Sequence, residues 1–363
     1  MDLGRYTCNA PVDDPWNCET ITDYSRLLYD SANHQFLMFG GGHAATHRTD
    51  VDVFDYGTFK WNSAYPSTPC AQMRLANQGR ENGDWLSTGH PIARHTYDML
   101  VMADGIQRLV MVTAPTGQGG CVEKYPGKER YIFHGKIAMY DPVAKIWSYS
   151  AATTRGWEEF GSAEYDPVSG FVIIVDRYSI WTYHPQTQAK SQKASYTIGA
   201  LGYGKNLVYF PPTHTMYYIA DGDAIFEISL GRGKTPRPDM SRLSDIKGDI
   251  PRLRETGFAY DPVNRLIGGG VNEGTFYTFD PLTKTWSSRV MRTEPPGLDV
   301  GTVAYHALDY DPVNNVFLFI TRKVSGKRTW VYRYAGGAGP AAGVRGASGT
   351  PSMVPPVSSI RER

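Results

Sequence analysis

The sequence predicts an all-β protein that folds as one ring of small four-stranded antiparallel sheets, a β-propeller. Three observations support this prediction: turn dipeptides that recur at a regular interval, short apolar runs between the turns, and a tryptophan at a fixed distance after a turn. All three occur in the stretch from Tyr260 to Trp286. This stretch reads as two short apolar strands, a glycine-rich break, a third strand, a turn and a closing tryptophan. Because the unit recurs along the chain, it is the building block of a repeat protein.

The turns are marked by aspartate followed by proline, as in Asp261-Pro262 and Asp280-Pro281. Proline fixes φ near the value that a type I turn needs, and the aspartate side chain can accept a hydrogen bond from the backbone two residues on. Six units can be recognised in this way. Their first turns fall at Asp30, Asp104, Asp166, Pro211, Asp261 and Asp311. The later spacing of about 45 to 50 residues fits a four-stranded propeller blade.

The strands within the units are short, apolar and continuous, as in FVIIV from Phe171 and VFLFI from Val316. Such runs are expected of strands that pack between neighbouring sheets. In three units a second aspartate precedes a tryptophan by the same interval; the pairs are Asp55 and Trp61, Asp141 and Trp147, and Asp280 and Trp286. The fourth unit is the weakest, because Pro211-Pro212 stands where its first turn should be.

Length and composition narrow the classes of function. The chain has 363 residues, 41% of them hydrophobic, which suffices for one closed all-β domain. The formal net charge of +1 argues against a nucleic-acid partner. No apolar run reaches the ~18 residues that span a bilayer, so we expect no membrane span. We also expect a monomer.

The chain has four cysteines, all in loop-like sequence of its first third. An even number in loops fits two disulfides, and we prefer the pairing of Cys8 with Cys18 and of Cys70 with Cys121 over four free thiols. Oxidised cysteines indicate an exported protein, either secreted or periplasmic. The first five residues lack the apolar core of a signal peptide, so we expect none in this chain.

Glycines after the second strand and a tryptophan opening the fourth strand resemble the Kelch repeat. The matching elements are Gly40-Gly41-Gly42, Gly268-Gly269-Gly270, Trp61, Trp147 and Trp286. The resemblance covers the chain from Asp23 to Tyr334, although units three, four and six lack the glycines. It implies a β-propeller of six or seven blades that is closed by strands from both termini. A seventh blade would lie in the irregular N-terminal segment or in the loop from Gly231 to Pro251.

The predicted domain organisation has two parts. Residues 1–334 form the propeller domain and begin with an irregular segment at 1–20. Residues 335–363 consist mainly of Gly, Ala, Pro and Ser. Such a composition cannot bury enough apolar surface to order itself, so we expect a flexible tail.

Propeller topology sorts the connections onto two faces. Connections between strands 1 and 2 and between strands 3 and 4 lie on one face, here called the turn face. Connections between strands 2 and 3 and between blades lie on the other, the insertion face. The short Asp-Pro turns belong to the turn face and the long insertions to the insertion face. Because function usually resides in loops on a rigid scaffold, we expect the site on the insertion face.

His, Tyr and Arg concentrate in the segments predicted for the insertion face. The candidate catalytic residues are His43, His95, Tyr97, Arg94, His134, Tyr131 and Arg130. The candidate substrate-binding residues are His47, Arg48, His90, Arg177, Tyr178, Trp85, His306 and Arg322. In a propeller the segments that lead into first strands line the central channel, so we expect Arg94, His95 and His306 to point inward.

These side chains suit β-elimination on a uronate-containing polysaccharide. His can exchange a proton near neutral pH, Tyr can act as the partner acid or base, and Arg can hold a carboxylate. In broad layout the chain is similar to propeller polysaccharide lyases, which implies such a lyase acting on polysaccharide or oligosaccharide. The hypothetical roles are base or electrostatic partner for His43 and His95, acid for Tyr97 or Tyr131, and carboxylate clamp for Arg94 or Arg130.

Three alternatives stay open. Kelch propellers commonly serve as non-catalytic modules that bind glycan or protein, because the repeat itself carries no chemistry. A divalent metal ion held by His43, His47 and His95 is a second alternative; otherwise we expect no cofactor. Third, these residues can be structural, with His43 in a simple turn and with Arg94 and His95 satisfying buried carbonyls.

Overall fold

The computed structural model shows six antiparallel blades arranged around a central axis. The all-β propeller predicted from the sequence is therefore confirmed. The structure describes residues 1–5, 24–40, 48–69, 85–92, 94–113, 135–156, 161–196, 205–231, 233–253, 257–293, 296–322 and 327–334. Of the rest, only the sequence is considered.

The first three blades each contain four consecutive strands. Blade 1 consists of β2 (Leu27–Asp30), β3 (Gln35–Phe39), β4 (Val51–Asp55) and β5 (Lys60–Ser63). Blade 2 consists of β6 (Leu100–Ala103), β7 (Arg108–Met111), β8 (Lys136–Asp141) and β9 (Ile146–Thr153). Blade 3 consists of β10 (Ser162–Asp166), β11 (Phe171–Val175), β12 (Ser179–Tyr183) and β13 (Lys190–Ser195).

The other three blades carry the departures from this plan. Blade 4 consists of β14 (Asn206–Phe210), β15 (Thr215–Asp221), β16 (Ala224–Ser229) and β17 (Asp239–Arg242), with a 3-10 turn at Pro211–Thr213. Blade 5 consists of β18 (Lys247–Gly248), β19 (Phe258–Asp261), β20 (Leu266–Asn272), β21 (Thr275–Asp280) and β22 (Thr285–Val290). Blade 6 consists of β1 (Asp2–Arg5), β23 (Thr302–Asp311), β24 (Val316–Arg322) and β25 (Arg328–Tyr332).

The blades follow one another around the axis in chain order. The innermost strands β2, β6, β10, β14, β19 and β23 contact one another in that sequence, and β23 contacts β2. The ring is closed by β1, which pairs antiparallel with β25 and places Asp2 opposite Trp330. Strands from both ends of the described chain thus complete blade 6, as the sequence predicts.

Two expectations about irregular segments need correction. The segment 1–20 is not irregular throughout, because Asp2–Arg5 is the outer strand of blade 6. The segment from Gly231 to Pro251 does not form a seventh blade. Instead, it supplies β17 to blade 4 and β18 to blade 5, where Lys247 pairs in parallel with Thr285. Both segments join existing sheets, which is why a count of turn motifs does not detect them.

The Asp-Pro turns have the predicted geometry. The Oδ1 atom of Asp261 accepts hydrogen bonds from the backbone of Val263 at 2.9 Å and of Asn264 at 3.0 Å. Asp280 does the same for Leu282 at 2.9 Å. Most of these turns end in a left-handed residue; on the inner turns His34, Gln107, Gly170, His214, Arg265 and Asn315 occupy this position. The aspartate therefore fixes the start of each turn, and the left-handed residue returns the chain to the sheet.

Apolar side chains fill the space between neighbouring blades. Leu27 and Phe36 of blade 1, for example, belong to one buried cluster with Leu318 and Ile320 of blade 6. The tryptophans of the fourth strands add a polar link: Trp286 Nε1 donates to the carbonyl oxygen of Gly222 in blade 4 at 2.8 Å. The tryptophans that mark the repeat thus help to join the blades. In the part of the chain described, no helix has the length and apolar character needed to cross a membrane.

Candidate functional site

Aromatic side chains from three adjacent blades meet at the axis on the insertion side. Tyr24 and Tyr97 precede the inner strands of blades 1 and 2, Tyr305 lies in the inner strand of blade 6, and the three form one buried cluster. The ring centroids of Tyr24 and Tyr305 are 4.0 Å apart, and the centroid of His95 lies 4.8 Å from that of Tyr24. His95 Nδ1 is 3.1 Å from the hydroxyl oxygen of Tyr97. We call Tyr24, His95, Tyr97 and Tyr305 the aromatic layer.

The three tyrosines of this layer share an unusual backbone conformation. Their φ angles are 59° at Tyr24, 47° at Tyr97 and 49° at Tyr305. A left-handed conformation is costly for a bulky residue, roughly 1 to 3 kcal/mol each, and such residues cluster at functional sites. Three related positions therefore keep a strained backbone so that their rings meet at one point.

A polar layer lies directly behind the aromatic layer. Asp98, Asn206 and His306 come from blades 2, 4 and 6, and each is at most 2% exposed. Asn206 Nδ2 lies 3.1 Å from Asp98 Oδ1 and 3.0 Å from His306 Nδ1. The Asp98 carboxylate requires the amide nitrogen on this side of Asn206, so Nδ1 of His306 accepts a hydrogen bond and Nε2 carries the proton. Alternate blades are thus tied together across the axis.

Arg26 of blade 1 is the cationic centre of the axis. Its guanidinium donates to Glu164 Oε2 at 2.5 Å and to the carbonyl oxygen of Ala163 at 2.7 Å, both in blade 3. Its Nε lies 3.4 Å from Asp98 Oδ1. Asp309 of blade 6 accepts a backbone hydrogen bond from blade 1 at 2.7 Å. One guanidinium thus faces three carboxyl groups.

Burial controls the protonation of these carboxyl groups. Removal from water raises the pKa of Asp98 to about 6 and that of Asp309 to about 7, although the charge of Arg26 opposes both shifts. The pKa of Glu164 is also raised by burial, again against the effect of Arg26. A single cation does not fully compensate three desolvated carboxyl groups, so the axis takes up protons near neutral pH.

Two arginine–tyrosine pairs stand on opposite sides of the axis. Arg322, at the end of β24 in blade 6, places its guanidinium carbon 4.3 Å from the ring centroid of Tyr305. Arg177, directly after β11 in blade 3, lies 5.6 Å from the ring centroid of Tyr178, which is 50% exposed. Both pairs involve the insertion-face end of a second strand. In a ring of six consecutive blades, blades 3 and 6 face each other across the axis.

The structure brings some predicted residues together and places others elsewhere. His95, Tyr97, His306 and Arg322 converge on the axis, as expected for His95 and His306. Arg94 is 1% exposed and donates to the backbone carbonyls of Ile92 at 3.1 Å and Thr113 at 3.2 Å. These hydrogen bonds are of the kind expected for the structural role that the sequence left open as an alternative to catalysis.

Three predicted binding residues lie away from the axial cluster. Arg48 is 2% exposed and forms ion pairs with Asp50 and Asp52 of blade 1. His90 and Trp85 both precede blade 2. The ring centroid of His90 lies 4.3 Å from that of Tyr65, which follows the outer strand of blade 1. Trp85 stacks on Tyr149, in the outer strand of blade 2, with ring centroids 4.1 Å apart. The predicted residues outside the described part of the chain are His43, His47, Arg130, Tyr131 and His134, together with Cys8, Cys18, Cys70 and Cys121.

The axial residues that the sequence analysis missed are Tyr24, Arg26, Asp98, Glu164, Asn206, Tyr305 and Asp309. A signal for two of them exists in the sequence. Glu164-Tyr165-Asp166 and Asp309-Tyr310-Asp311 place a second acid two residues before the turn aspartate, inside an otherwise apolar strand. An acid at an inner-strand position is best explained by a shared polar axis. The others come from positions without a repeated motif.

The described axial residues include one His–Tyr pair. His95 and Tyr97 have the chemistry to pass a proton, but their exposed fractions are only 6% and 5%. Within the described ranges, no group of three or more His, Cys, Asp or Glu side chains has a geometry that could hold a metal ion. Among the described residues of the insertion side, Arg177, Arg322 and the exposed ring of Tyr178 suit binding of an anionic or sugar-like ligand, although Asp223 and Glu273 are exposed there as well.

Comparison with known proteins identifies similar folds. No protein-family model and no curated protein matches the chain. An auxiliary nutrient binding protein from Bacteroides thetaiotaomicron has a TM-score of 0.55 and 11% identity, covering 92% of this chain and 75% of that one. One from Bacteroides ovatus has a TM-score of 0.52 and 10% identity, with coverages of 91% and 76%. The protein YjhT has a TM-score of 0.54 and 11% identity, with coverages of 88% and 95%. At such identities the likeness concerns the fold alone.

Proposed function

We propose that the protein is a non-catalytic, exported propeller that binds an acidic glycan on its insertion face. The observation that carries this proposal is the presence of two arginine–tyrosine pairs on blades facing each other across the axis. Each guanidinium can hold a carboxylate, and the exposed ring of Tyr178 can pack against a sugar. The strained aromatic layer between blades 6, 1 and 2 would form a rigid floor beneath the ligand.

The burial of the candidate catalytic side chains at the axis favours a binding function over β-elimination. A lyase needs a base and an acid that touch the substrate, within about 3 Å of the proton that moves. His95 and Tyr97 are hydrogen-bonded to each other and almost fully buried, and Arg94 donates hydrogen bonds to backbone carbonyls. Two similarly folded proteins carry the name nutrient binding, which is compatible with this proposal.

The Kelch assignment belongs to the same proposal, and the conformations of its glycines support it. In β20, φ is 153° at Gly269 and 59° at Gly270, and a Cβ atom on Gly269 would lie 2.0 Å from the carbonyl oxygen of Gly257. A side chain at either position would strain the backbone. Glycine is therefore required where the Kelch motif has it.

Binding can be tested by calorimetry with uronate-containing oligosaccharides and with neutral oligosaccharides of equal length. We expect Arg322→Gln and Arg177→Gln each to weaken binding of the uronate-containing ligands about tenfold or more, since a hydrogen bond to a charged group contributes about 1.5 to 3 kcal/mol. The matched control is Arg108→Gln on the turn face, where Arg108 pairs with Asp141. This control should bind as the wild type does.

Two results would overturn the proposal. One is equal affinity of the wild type and both arginine variants for every ligand that binds. The other is the release of unsaturated uronate products, read by their ultraviolet absorbance, together with loss of this activity in His95→Ala. The second result would establish the lyase instead.

A further inference from the structure

The turn face carries an exposed apolar surface that the glycan proposal does not use. It consists of the inner-turn pairs Pro167-Val168, Pro211-Pro212, Pro262-Val263 and Pro312-Val313 from blades 3, 4, 5 and 6, all of them exposed. The exposed fractions are 65% at Val168, 43% at Val263 and 64% at Val313. We call these eight residues the apolar arc. Apolar side chains that are exposed on the same face of consecutive blades are candidates for an interaction site.

The arc ends where the inner turns become polar. In blade 1 the turn is Ser31 to His34, and in blade 2 it is Asp104 to Gln107. Ser31 Oγ donates to Asp104 Oδ1 at 2.8 Å, which joins these two turns to each other. Large apolar or proline residues are therefore exposed on the inner turns of four consecutive blades, whereas the inner turns of blades 1 and 2 expose none.

The described chain ends beside one end of this arc. The strand β25 runs from the insertion face toward the turn face, since Tyr332 pairs with Phe317 next to the inner turn of blade 6. Arg333 then donates to the carbonyl oxygens of Asn314 at 2.9 Å and Asn315 at 3.3 Å, in the same turn as Val313. Residues 335–363 thus begin at the turn that forms the blade 6 end of the arc.

The sequence of that tail has two parts with different chemistry. Residues 335–350 are mainly Gly and Ala, whereas residues 351–360 read PSMVPPVSSI and contain five large apolar or proline side chains in the run from Met353 to Val357. A Gly-rich linker from Tyr334 to Met353 has an end-to-end distance of about 24 Å. Neighbouring sheets pack about 10 Å apart, so four inner turns extend over roughly 30 Å. The linker length and the extent of the arc are comparable.

We propose that residues 351–360 of the same chain bind along the apolar arc and cover it. Met353, Val354 and Val357 would pack against the valines of the inner turns. The prolines keep the segment extended, which lowers the entropy lost when it becomes ordered. The tail would be tethered at one end and would reach the arc without a second molecule.

The test is hydrogen exchange of the tail amides in the full chain, compared with a synthetic peptide of residues 348–363. We expect the amides of residues 352–360 to exchange at least about tenfold more slowly in the protein than in the peptide. The combined variant Val168→Lys, Val263→Lys, Val313→Lys should return them to the peptide rate. Val143→Lys is the matched control, because it changes an equally exposed Pro-Val tip, 70% exposed, on the outer turn of blade 2.

A second measurement follows the surface itself. Replacing Met353, Val354 and Val357 by Asp in the full chain should increase the binding of an apolar fluorescent dye to the turn face. Replacing Thr350, Ser352 and Ser358 by Asp adds the same charge to polar positions and should leave dye binding unchanged. Exchange at the peptide rate in the wild type would overturn the proposal. Protection that disappears on dilution would also overturn it, because the occupant would then be a second copy of the chain.

Discussion

The two faces of the propeller are built by different rules. On the turn face, the aspartate cap and the left-handed residue recur from blade to blade. Hydrogen bonds within four or five residues stabilise the turns, together with single side-chain contacts between neighbouring turns, as from Ser31 to Asp104. On the insertion side, Arg26 contacts blade 3, Asn206 contacts blades 2 and 6, and the tyrosines of three blades share one cluster. The repeated turns are therefore stabilised mainly by local contacts, whereas the contacts at the axis form only when the blades are brought together in the ring.

This difference separates the energetic consequences of substitutions on the two faces. A change at an outer-turn aspartate such as Asp280 removes hydrogen bonds within its own turn. A change at the axis leaves buried charges without partners on several blades at once. The following predictions test this contrast, beginning with the largest expected effect.

We expect Arg26→Met to lower the free energy of unfolding by about 3 to 5 kcal/mol, because it leaves buried Asp98 and Glu164 without their cation. The measurement is urea denaturation near neutral pH. The control is Arg108→Met, which removes a partly exposed ion pair with Asp141 on the turn face and should cost less than about 1 kcal/mol. Equal losses in the two variants would contradict the contrast between the faces.

The pH dependence of stability should report on Asp309. Its pKa of about 7 in the folded protein lies above the unfolded value of 3.8, so the folded state holds the proton more tightly. Stability should therefore fall, by on the order of 3 kcal/mol for this group, as pH rises from about 5 to about 8. Asp309→Asn should flatten the dependence over this range.

The measurement for Asp309 is the denaturation midpoint at several pH values, for the wild type and the variant in parallel. A wild-type stability that rises across the same pH range would show that Arg26 suffices to keep the axial carboxyl groups ionised. An unchanged slope in Asp309→Asn would assign the dependence to another group, with Asp98 as the next to replace.

A turn substitution should have the smallest effect. In Asp280→Ala, the backbone of Leu282 and the hydroxyl of Thr283 lose hydrogen bonds of 2.9 Å and 2.8 Å. We expect a loss of about 1 kcal/mol in unfolding free energy, with glycan affinity unchanged. Lys193→Ala, at an exposed lysine in the outer strand of blade 3, serves as the control and should stay within about 0.5 kcal/mol of the wild type. A change of glycan affinity in Asp280→Ala would show that the two faces are coupled.

The same contrast explains what could be predicted from the sequence. Turn positions such as Asp261 and tryptophans such as Trp286 obey short-range rules, so their roles could be derived before any coordinates were known. Asp98 and Asn206 become partners only because the ring brings residues 108 positions apart together. The strand β18 was missed because two polar residues carry no periodic signal. The structure of a blade can therefore be predicted from one sequence more easily than the contacts at the centre of the ring.

The pairing of β1 with β25 has a consequence for how the protein is made. The strand β1 leaves the ribosome before the other strands of the ring, whereas its partner β25 emerges after them. Blades 1 to 5 can form while synthesis proceeds, but their inner strands cannot surround a complete axis until β23 to β25 emerge. Arg26 and its acidic partners are then desolvated together in a late step. The slowest step of folding is thus expected to be the joining of the two ends, because contacts between distant segments form slowly.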